Sequence, residues 1–193
     1  MIEGTAARQQ LAVEVATPDD ADAVIAIYAP IVRETAISFE FEPPSVAEVR
    51  QRITSTLPGF PWLVCRKDGY VLGYAYAHAF ATRAAYSWSA ETSIYVHADA
   101  RRLGIGSRLY GALLPILVEQ GFRRAFAGIT LPNPASVALH ESLGFTPSGV
   151  YRRVGWKFNR WWDVGWWQLD LRRSDREPDP AERPMPFAEL RAR

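Results

Sequence analysis

The chain has 193 residues, 48% of them hydrophobic and 12% aromatic, enough to bury one sizeable core in a single domain. Lys plus Arg total 22 against 21 for Asp plus Glu, a net charge of +1, which leaves no basic field for nucleic acid or an anionic membrane, so any anion site has to be local. A single cysteine excludes an internal disulfide framework, and with no apolar signal core and no run of bilayer length the expectation is a cytoplasmic globular protein without a membrane partner.

A polar leader, 1–10, precedes Leu11-Ala12-Val13-Glu14-Val15, which alternates like a strand. Thr17-Pro18-Asp19-Asp20 then supplies an N-cap, a first-turn proline and early acids, and the spacing of Ala21, Val24, Ile25, Tyr28, Ile31 and Val32 predicts a helix to about Arg33. Glu34 to Pro44 has no helical period and reads as a loop; Ser45-Val46-Ala47-Glu48 is a capping box that starts a second helix, ending near Leu57-Pro58-Gly59. Trp62–Arg66 and Tyr70–His78, joined by Lys67-Asp68-Gly69, predict a β-hairpin with a candidate bulge at Gly73, and Cys65 within it reads as a buried small hydrophobe.

Ala79 to Ser87 has no clear period, and Trp88 to Val96 returns to strand character. The organising stretch follows: a strand ending Ser93-Ile94-Tyr95-Val96, the turn Arg101-Arg102-Leu103-Gly104-Ile105-Gly106, and a helix over Ser107 to Glu119. Two glycines at such a turn let the backbone fold tightly and bring unpaired N–H groups together at a helix N-terminus, where the dipole and two arginines favour an anion such as a pyrophosphate. The P-loop spacing is absent, and the dinucleotide fingerprint fails because Leu109 stands where the third small residue belongs. A turn of this kind also serves simply as a helix cap.

Further on, Arg123 to Thr130 predicts a strand, Leu131-Pro132-Asn133-Pro134 a breaker, and Ala135 to Leu143 a short helix closed by Gly144. Phe145 to Val154 and Val164 to Leu171 are the last two expected strands, joined by the Trp-rich segment Gly155 to Trp162. Residues 172–193 are rich in proline and arginine and read as a tail, poorly packed or draped over a neighbour, outside a single domain of 11–171.

Arg101-x-x-Gly104-x-Gly106 after a strand resembles the acyl-coenzyme A pyrophosphate loop of the GNAT superfamily of N-acetyltransferases, and Asn133-x-x-Ser136 resembles its second coenzyme motif. The element order is the same. The resemblance implies an α/β GNAT fold: a mixed, mostly antiparallel sheet of about six or seven strands with a splayed pair of parallel strands, and helices on both faces. It narrows to the phosphinothricin acetyltransferases on Gly73-Tyr74-Ala75-Tyr76-Ala77, Arg83-x-x-Tyr86-x-Trp88, Ala90-Glu91, Leu131-Pro132-Asn133, His140-Glu141-x-Leu143-Gly144-Phe145, Gly155-x-Lys157 and Trp161-x-Asp163-Val164-Gly165-x-Trp167-Gln168-Leu169-Asp170.

What the resemblance implies is direct transfer of acetyl from acetyl-coenzyme A to the α-amino group of phosphinothricin or an analogue such as methionine sulfoximine, in a ternary complex. Ile94, Tyr95, Val96, Arg101, Arg102, Leu103, Gly104, Ile105, Gly106, Ser107, Asn133 and Ser136 would hold the coenzyme. As a strand carboxylate alone Glu91 reads first as a solvated or salt-bridged group; the resemblance of Trp88-x-Ala90-Glu91 to the family's proposed base turns the reading to general base. His140 stands where many of these enzymes carry a tyrosine that protonates the leaving thiolate; it can donate a proton or only hold a hydrogen bond. Thr35, Phe39, Arg83 and Tyr86 are the candidate acceptor contacts. The Trp156, Trp161, Trp162, Trp166 and Trp167 group suits core or subunit interface, and a homodimer is implied. Other acceptors (a different small amine, a protein N-terminus) and a coenzyme-binding module without turnover are the competing readings. His78 and His97 have no H-E-x-x-H, C-x-x-C or carboxylate company, so no metal is expected.

Overall fold

The computed structural model describes residues 11–171 and 182–193; the expected leader, 1–10, lies outside the described residues. Seven strands form one sheet in the order β1-β2-β3-β4-β5-β7-β6, where β1 is Ala12–Val15, β2 Trp62–Lys67, β3 Tyr70–Ala79, β4 Ser89–Val96, β5 Arg124–Leu131, β6 Thr146–Lys157 and β7 Arg160–Asp170. Every neighbouring pair is antiparallel except β4 and β5. The helices are α1 (Ala21–Glu34), α2 (Val46–Thr56), α3 (Ile105–Gln120), α4 (Pro134–Ser142) and α5 (Phe187–Arg191).

Strand β2 explains how the sheet is covered. Its Trp62-Leu63-Val64-Cys65 run is buried throughout, with Trp62 and Val64 in the cluster formed by α1 and α2, and Leu63 and Cys65 in the cluster under α3. Period-two alternation with both sets apolar is the signature of a strand covered on both faces. The α1 and α2 boundaries fall within a residue or two of expectation. The Ser45–Glu48 capping box is present, Glu48 N donating to Ser45 Oγ at 3.2 Å and Ser45 N to Glu48 Oε2 at 2.6 Å. The β2–β3 register slips between Cys65, opposite Gly73, and Arg66, opposite Val71, so Leu72 is the extra residue of a bulge beside Gly73.

Three expectations are corrected. The central helix begins at Ile105, because Gly104 takes the left-handed conformation (φ 75°) as its N-cap. Gly106 therefore lies inside the first turn rather than at the bend: a Cβ on it would stand 2.8 Å from Leu139 Cδ2, so it is the close contact between α3 and α4 that requires a glycine there. Second, Gly155 to Trp162 is not a connecting loop. β6 and β7 run through it as one long hairpin, closed at Phe158-Asn159, both at positive φ (51° and 56°), with Gly155 opposite Trp162 and Trp156 opposite Trp161. Phenylalanine is no turn signal, which hid this turn from the sequence.

The third concerns the tail. Residues 172–181 lie outside the described residues, but 182–193 are not loosely packed. Phe187 is 2% exposed, its N–H donates to Gly59 O at 3.2 Å, and Gln120 Nε2 at the end of α3 donates to Met185 O (2.7 Å) and Gly59 O (2.9 Å). One apolar anchor and a set of backbone bonds outweigh the charge around them.

Candidate active site

The site is built where β4 and β5 part. The two strands pair in parallel only through Ser89–Arg124, Ala90–Ala125 and Glu91–Phe126. Beyond Glu91, β4 keeps its β3 partner as far as Val96 while its other edge is released, so the backbone of Ser93 to Val96 offers an open row of N–H and C=O groups to an extended ligand. A narrow cleft of about 50 Å³ opens in the gap, between Thr92–Tyr95 on one side and Ala127–Thr130 on the other, with Tyr110 and His140 beneath and Ile37 reaching in from the α1–α2 loop.

The cleft leads to a groove of about 1000 Å³ at the N-terminus of α3. Ile94, Tyr95, Val96, Arg101, Arg102, Gly104, Ile105, Gly106, Ser107, Asn133 and Ser136 line it, which gathers every expected coenzyme residue except Leu103; that side chain is 55% exposed on the turn. Arg108 N is the first amide of α3 to bond back, to Gly104 O at 3.0 Å, so the N–H groups of Ile105, Gly106 and Ser107 precede the helical ladder. Three amides, two guanidinium groups and the positive end of a 16-residue helix fit a pyrophosphate. Across the groove, Asn133 caps α4, its Oδ1 accepting from Ser136 N at 3.2 Å.

His140 is 2% exposed and fully engaged. Its Nδ1 lies 2.8 Å from Ser136 O; a carbonyl only accepts, so Nδ1 carries the hydrogen. Nε2 is then an acceptor and takes the Tyr110 hydroxyl hydrogen across 2.9 Å. Thr92 Oγ1 follows, 3.1 Å from that hydroxyl. Burial pushes the His140 pKa down against the opposing bond to Ser136, so the ring stays neutral, and burial pushes Tyr110 well above the usual phenol range.

Glu91 is the last residue of β4 paired with β5, its side chain 25% exposed. Burial pushes its carboxyl above the usual carboxylate value, with His78 working in the opposite direction. The other expected acceptor residues are not brought into contact with it. Tyr86 packs edge-on against Phe80, which stacks at 4.3 Å on Phe126, the strand partner of Glu91; Arg83 is exposed on the same β3–β4 connection. Thr35 Oγ1 donates to Ile31 O at the end of α1 and accepts from Ile37 N. The Phe39 ring fills the space over Gly155, where a Cβ would lie 2.2 Å from it. Thr35 and Phe39 thus bracket Ile37, the loop residue that does line the cleft.

Several site residues were missed. Tyr110 lies within the expected helix over Ser107 to Glu119 and is not singled out by the sequence. Lys157, in the quoted Gly155-x-Lys157, is 3% exposed and donates from Nζ to Val32 O (2.6 Å) and Ser38 O (2.7 Å), tying β6 to the last turn of α1 and to the loop that follows it. Among the tryptophans, Trp167 is core, while Trp156 and Trp161 pair at the surface at 5.3 Å. Among the described residues no group of three His, Cys, Asp or Glu side chains could hold a metal ion, and no helix is long and apolar enough to cross a membrane.

Residues 13–166 match the family model described as an acetyltransferase (GNAT) domain. The chain is 39% identical to a phosphinothricin N-acetyltransferase of Streptomyces viridochromogenes over 164 residues, 85% of this chain and 90% of that one. The chain belongs to the GNAT acetyltransferases, among the phosphinothricin N-acetyltransferases. An L-methionine sulfoximine/L-methionine sulfone acetyltransferase of Pseudomonas aeruginosa is 35% identical over 79% of this chain and 90% of its own. Among solved GNAT structures, a phosphinothricin acetyltransferase from Sinorhizobium meliloti in complex with AcCoA superimposes with a TM-score of 0.83 at 35% identity, covering 88% of this chain and 93% of that one. The mixed seven-stranded sheet with one parallel pair is the architecture these acetyltransferases share.

Proposed function

We propose that this acetyltransferase moves acetyl from acetyl-coenzyme A directly to the α-amino group of a small amino acid bearing a compact anionic or dipolar side group, of the phosphinothricin or methionine sulfoximine kind. The single observation that carries the reading is the position of Glu91: a half-buried carboxylate at the last β4–β5 pair, next in the chain to Thr92, where the lining of the cleft that leads to the α3 turn begins. The relatives' names, phosphinothricin and methionine sulfoximine among them, give the acceptor class.

Acetyl-coenzyme A, when bound, supplies the activated thioester. The turn at Arg101–Ser107 would hold its phosphates and the freed edge of Tyr95 and Val96 its pantetheine amides, leaving the acetyl end in the split. An α-amino group is largely protonated near neutral pH, so it must lose a proton before it can attack. Glu91, with its raised pKa, takes that proton at the mouth of the cleft. Tyr110 and Thr92 bring two buried hydroxyls to the cleft below the split where the thiolate would leave, and His140 acts by holding the Tyr110 hydroxyl. Arg83 and Tyr86 on one side, and on the other the loop of Thr35 and Phe39 through its Ile37, bound the acceptor's side group.

A homodimer in the cytoplasm completes the reading. Val150, Tyr151, Val154, Trp156 and Trp161 leave an apolar surface on the last hairpin, and buried Cys65 as the sole thiol suits a reducing compartment. The test is thiol release from acetyl-coenzyme A over a panel of L-phosphinothricin, methionine sulfoximine, ordinary amino acids and a peptide N-terminus, with Glu91→Gln alongside. Turnover of the first two, lost in the variant, supports the reading. Turnover confined to the peptide, or coenzyme binding without any turnover, refutes the acceptor.

A further inference from the structure

His78 and Glu91 stand directly opposite each other in the antiparallel β3–β4 register. The gap between His78 Nε2 and Glu91 Oε1 is 3.9 Å. His78 Nδ1 lies 3.0 Å from Ala79 O, and since a carbonyl can only accept, that nitrogen carries the hydrogen of the neutral ring. The free lone pair is therefore on Nε2, the atom turned to Glu91. Exposure differs across the pair: 42% for the His78 side chain and 25% for Glu91.

The reaction makes this neighbour matter. An ammonium acceptor and a thioester become an amide, a thiol and one proton: the N–C bond forms, the C–S bond breaks, and of the two hydrogens lost from nitrogen one ends on sulfur. The other must reach water in every cycle, or Glu91 stays protonated and cannot act again. Glu91 is the more enclosed of the two groups and needs an outlet.

We propose that His78 is that outlet: its Nε2 accepts the proton that Glu91 has taken from the acceptor, and the exposed imidazolium then releases it to water. This inference rests on Glu91 being the base. A gap of 3.9 Å closes by a small side-chain rotation or through one bridging water. An imidazole is suited to the step because its unperturbed pKa lies near neutrality, so it gains and loses a proton with little bias. The other titratable groups around the pair are Tyr76, on the same face of β3, with the Arg52–Glu40 ion pair behind it, and Arg83 and Tyr86 on the connection beyond Phe80. Tyr76 is itself raised by burial and has no role as a neutral-pH acceptor.

His78 acts through Glu91 and so is a positioning and relay residue. The experiment compares wild type, His78→Gln and Glu91→Gln in kcat and kcat/KM across pH, in weak and strong buffer, with imidazole added. For His78→Gln the expected result is a kcat lower by about tenfold at low buffer, an unchanged KM for acetyl-coenzyme A, an acid limb moved to higher pH, and recovery as imidazole concentration rises. A thermal melt matching wild type separates this from misfolding. If Glu91→Gln is inactive while His78→Gln keeps a wild-type, buffer-independent profile, the base stands and the outlet is overturned. If Glu91→Gln retains full activity, the base assignment falls and the outlet falls with it.

Discussion

The Tyr110 hydroxyl donates to His140 Nε2 across 2.9 Å inside the fold, under the gap between the parallel strands β4 and β5. Because Nδ1 is committed to Ser136 O, the imidazole is held in one tautomer with no open nitrogen. Replacing His140 by alanine takes that partner from the buried Tyr110 hydroxyl, which keeps Thr92, and from Ser136 O, at a cost of roughly 0.5–1.5 kcal/mol for each lost hydrogen bond. The sign with pH follows from the depressed folded pKa: neutral His140 contributes stability above the ordinary imidazole value of 6.5 that is lost as pH falls through that window. Melting temperatures at pH 8 and pH 5 should fall further apart in wild type than in His140→Asn. Equal spacing would show that the ring is free to charge in place.

Glu91 gives the opposite sign. Its folded pKa lies above the ordinary carboxylate value of 4.5, chiefly through burial. The folded state therefore holds the proton more tightly than the unfolded chain, and the stability this lends below the unfolded pKa is lost as pH rises through the folded one. At neutral pH the ionised carboxylate is a burden, and Glu91→Gln should melt higher than wild type at pH 7 yet not at pH 4. The same variant should lose the acid limb of kcat/KM along with most of the activity, roughly the 10²–10⁴-fold that a positioned base contributes. A variant that melts lower at pH 7 would mean that the charge is well solvated.

How far the sequence reached is clearest at these residues. Strand β4, the glycine turn and α3 follow from an apolar run, a Gly-x-Gly spacing and a 3.6-residue period, and all are local signals. His78 was equally visible as a residue on a strand. Its facing Glu91 depends on the hairpin register, which the irregular 80–88 connection leaves undefined until the chain is folded. Lys157 and Tyr110 carry the same lesson: a lysine whose ammonium is buried on two carbonyls, and a helix tyrosine under a strand gap, have partners more than a hundred and about thirty residues away, respectively. The split between β4 and β5 had no local signal at all, and it entered through resemblance.

Arg101 tests the anion site. A guanidinium at the start of α3 that bonds a phosphate contributes about 1.5–3 kcal/mol when charge-assisted, so Arg101→Ala should raise KM for acetyl-coenzyme A by roughly 10- to 100-fold. The loss is in binding, so kcat at saturation should hardly change. Added salt should weaken wild-type binding more than that of the variant. An unchanged KM would mean that the helix N-terminus and Arg102 suffice.

Phe187 tests the docked end of the chain. Its ring is buried beside Gly59 and Gln120, remote from the cleft. Phe187→Ala removes the anchor at a cost of roughly 3–5 kcal/mol if the site cannot collapse, less if the terminal segment simply lifts off. With about 2–4 °C lost per kcal/mol in a chain of this size, the melting temperature should drop by roughly 5–15 °C, while KM for either substrate stays the same. A change in KM with no change in melting temperature would instead tie the tail to the active site.

The last hairpin tests the quaternary structure. β6 is an edge strand of 12 residues, with Tyr151, Val154 and Trp156 exposed along it and Trp161 opposite Trp156. An edge this long and apolar, with no covering element among the described residues, pairs with another chain unless charge guards it, and the arginines at 152 and 153 cover only its middle. Burying these side chains would remove a few hundred Å² of apolar surface, worth roughly 25 cal/mol per Å² before the cost of association, a contribution that favours pairing through this hairpin together with the rest of the interface. Wild type should sediment as a dimer and Val154→Lys/Trp156→Lys as a monomer with an unchanged secondary structure. Persistence of the dimer in the double variant would move the interface elsewhere on the molecule.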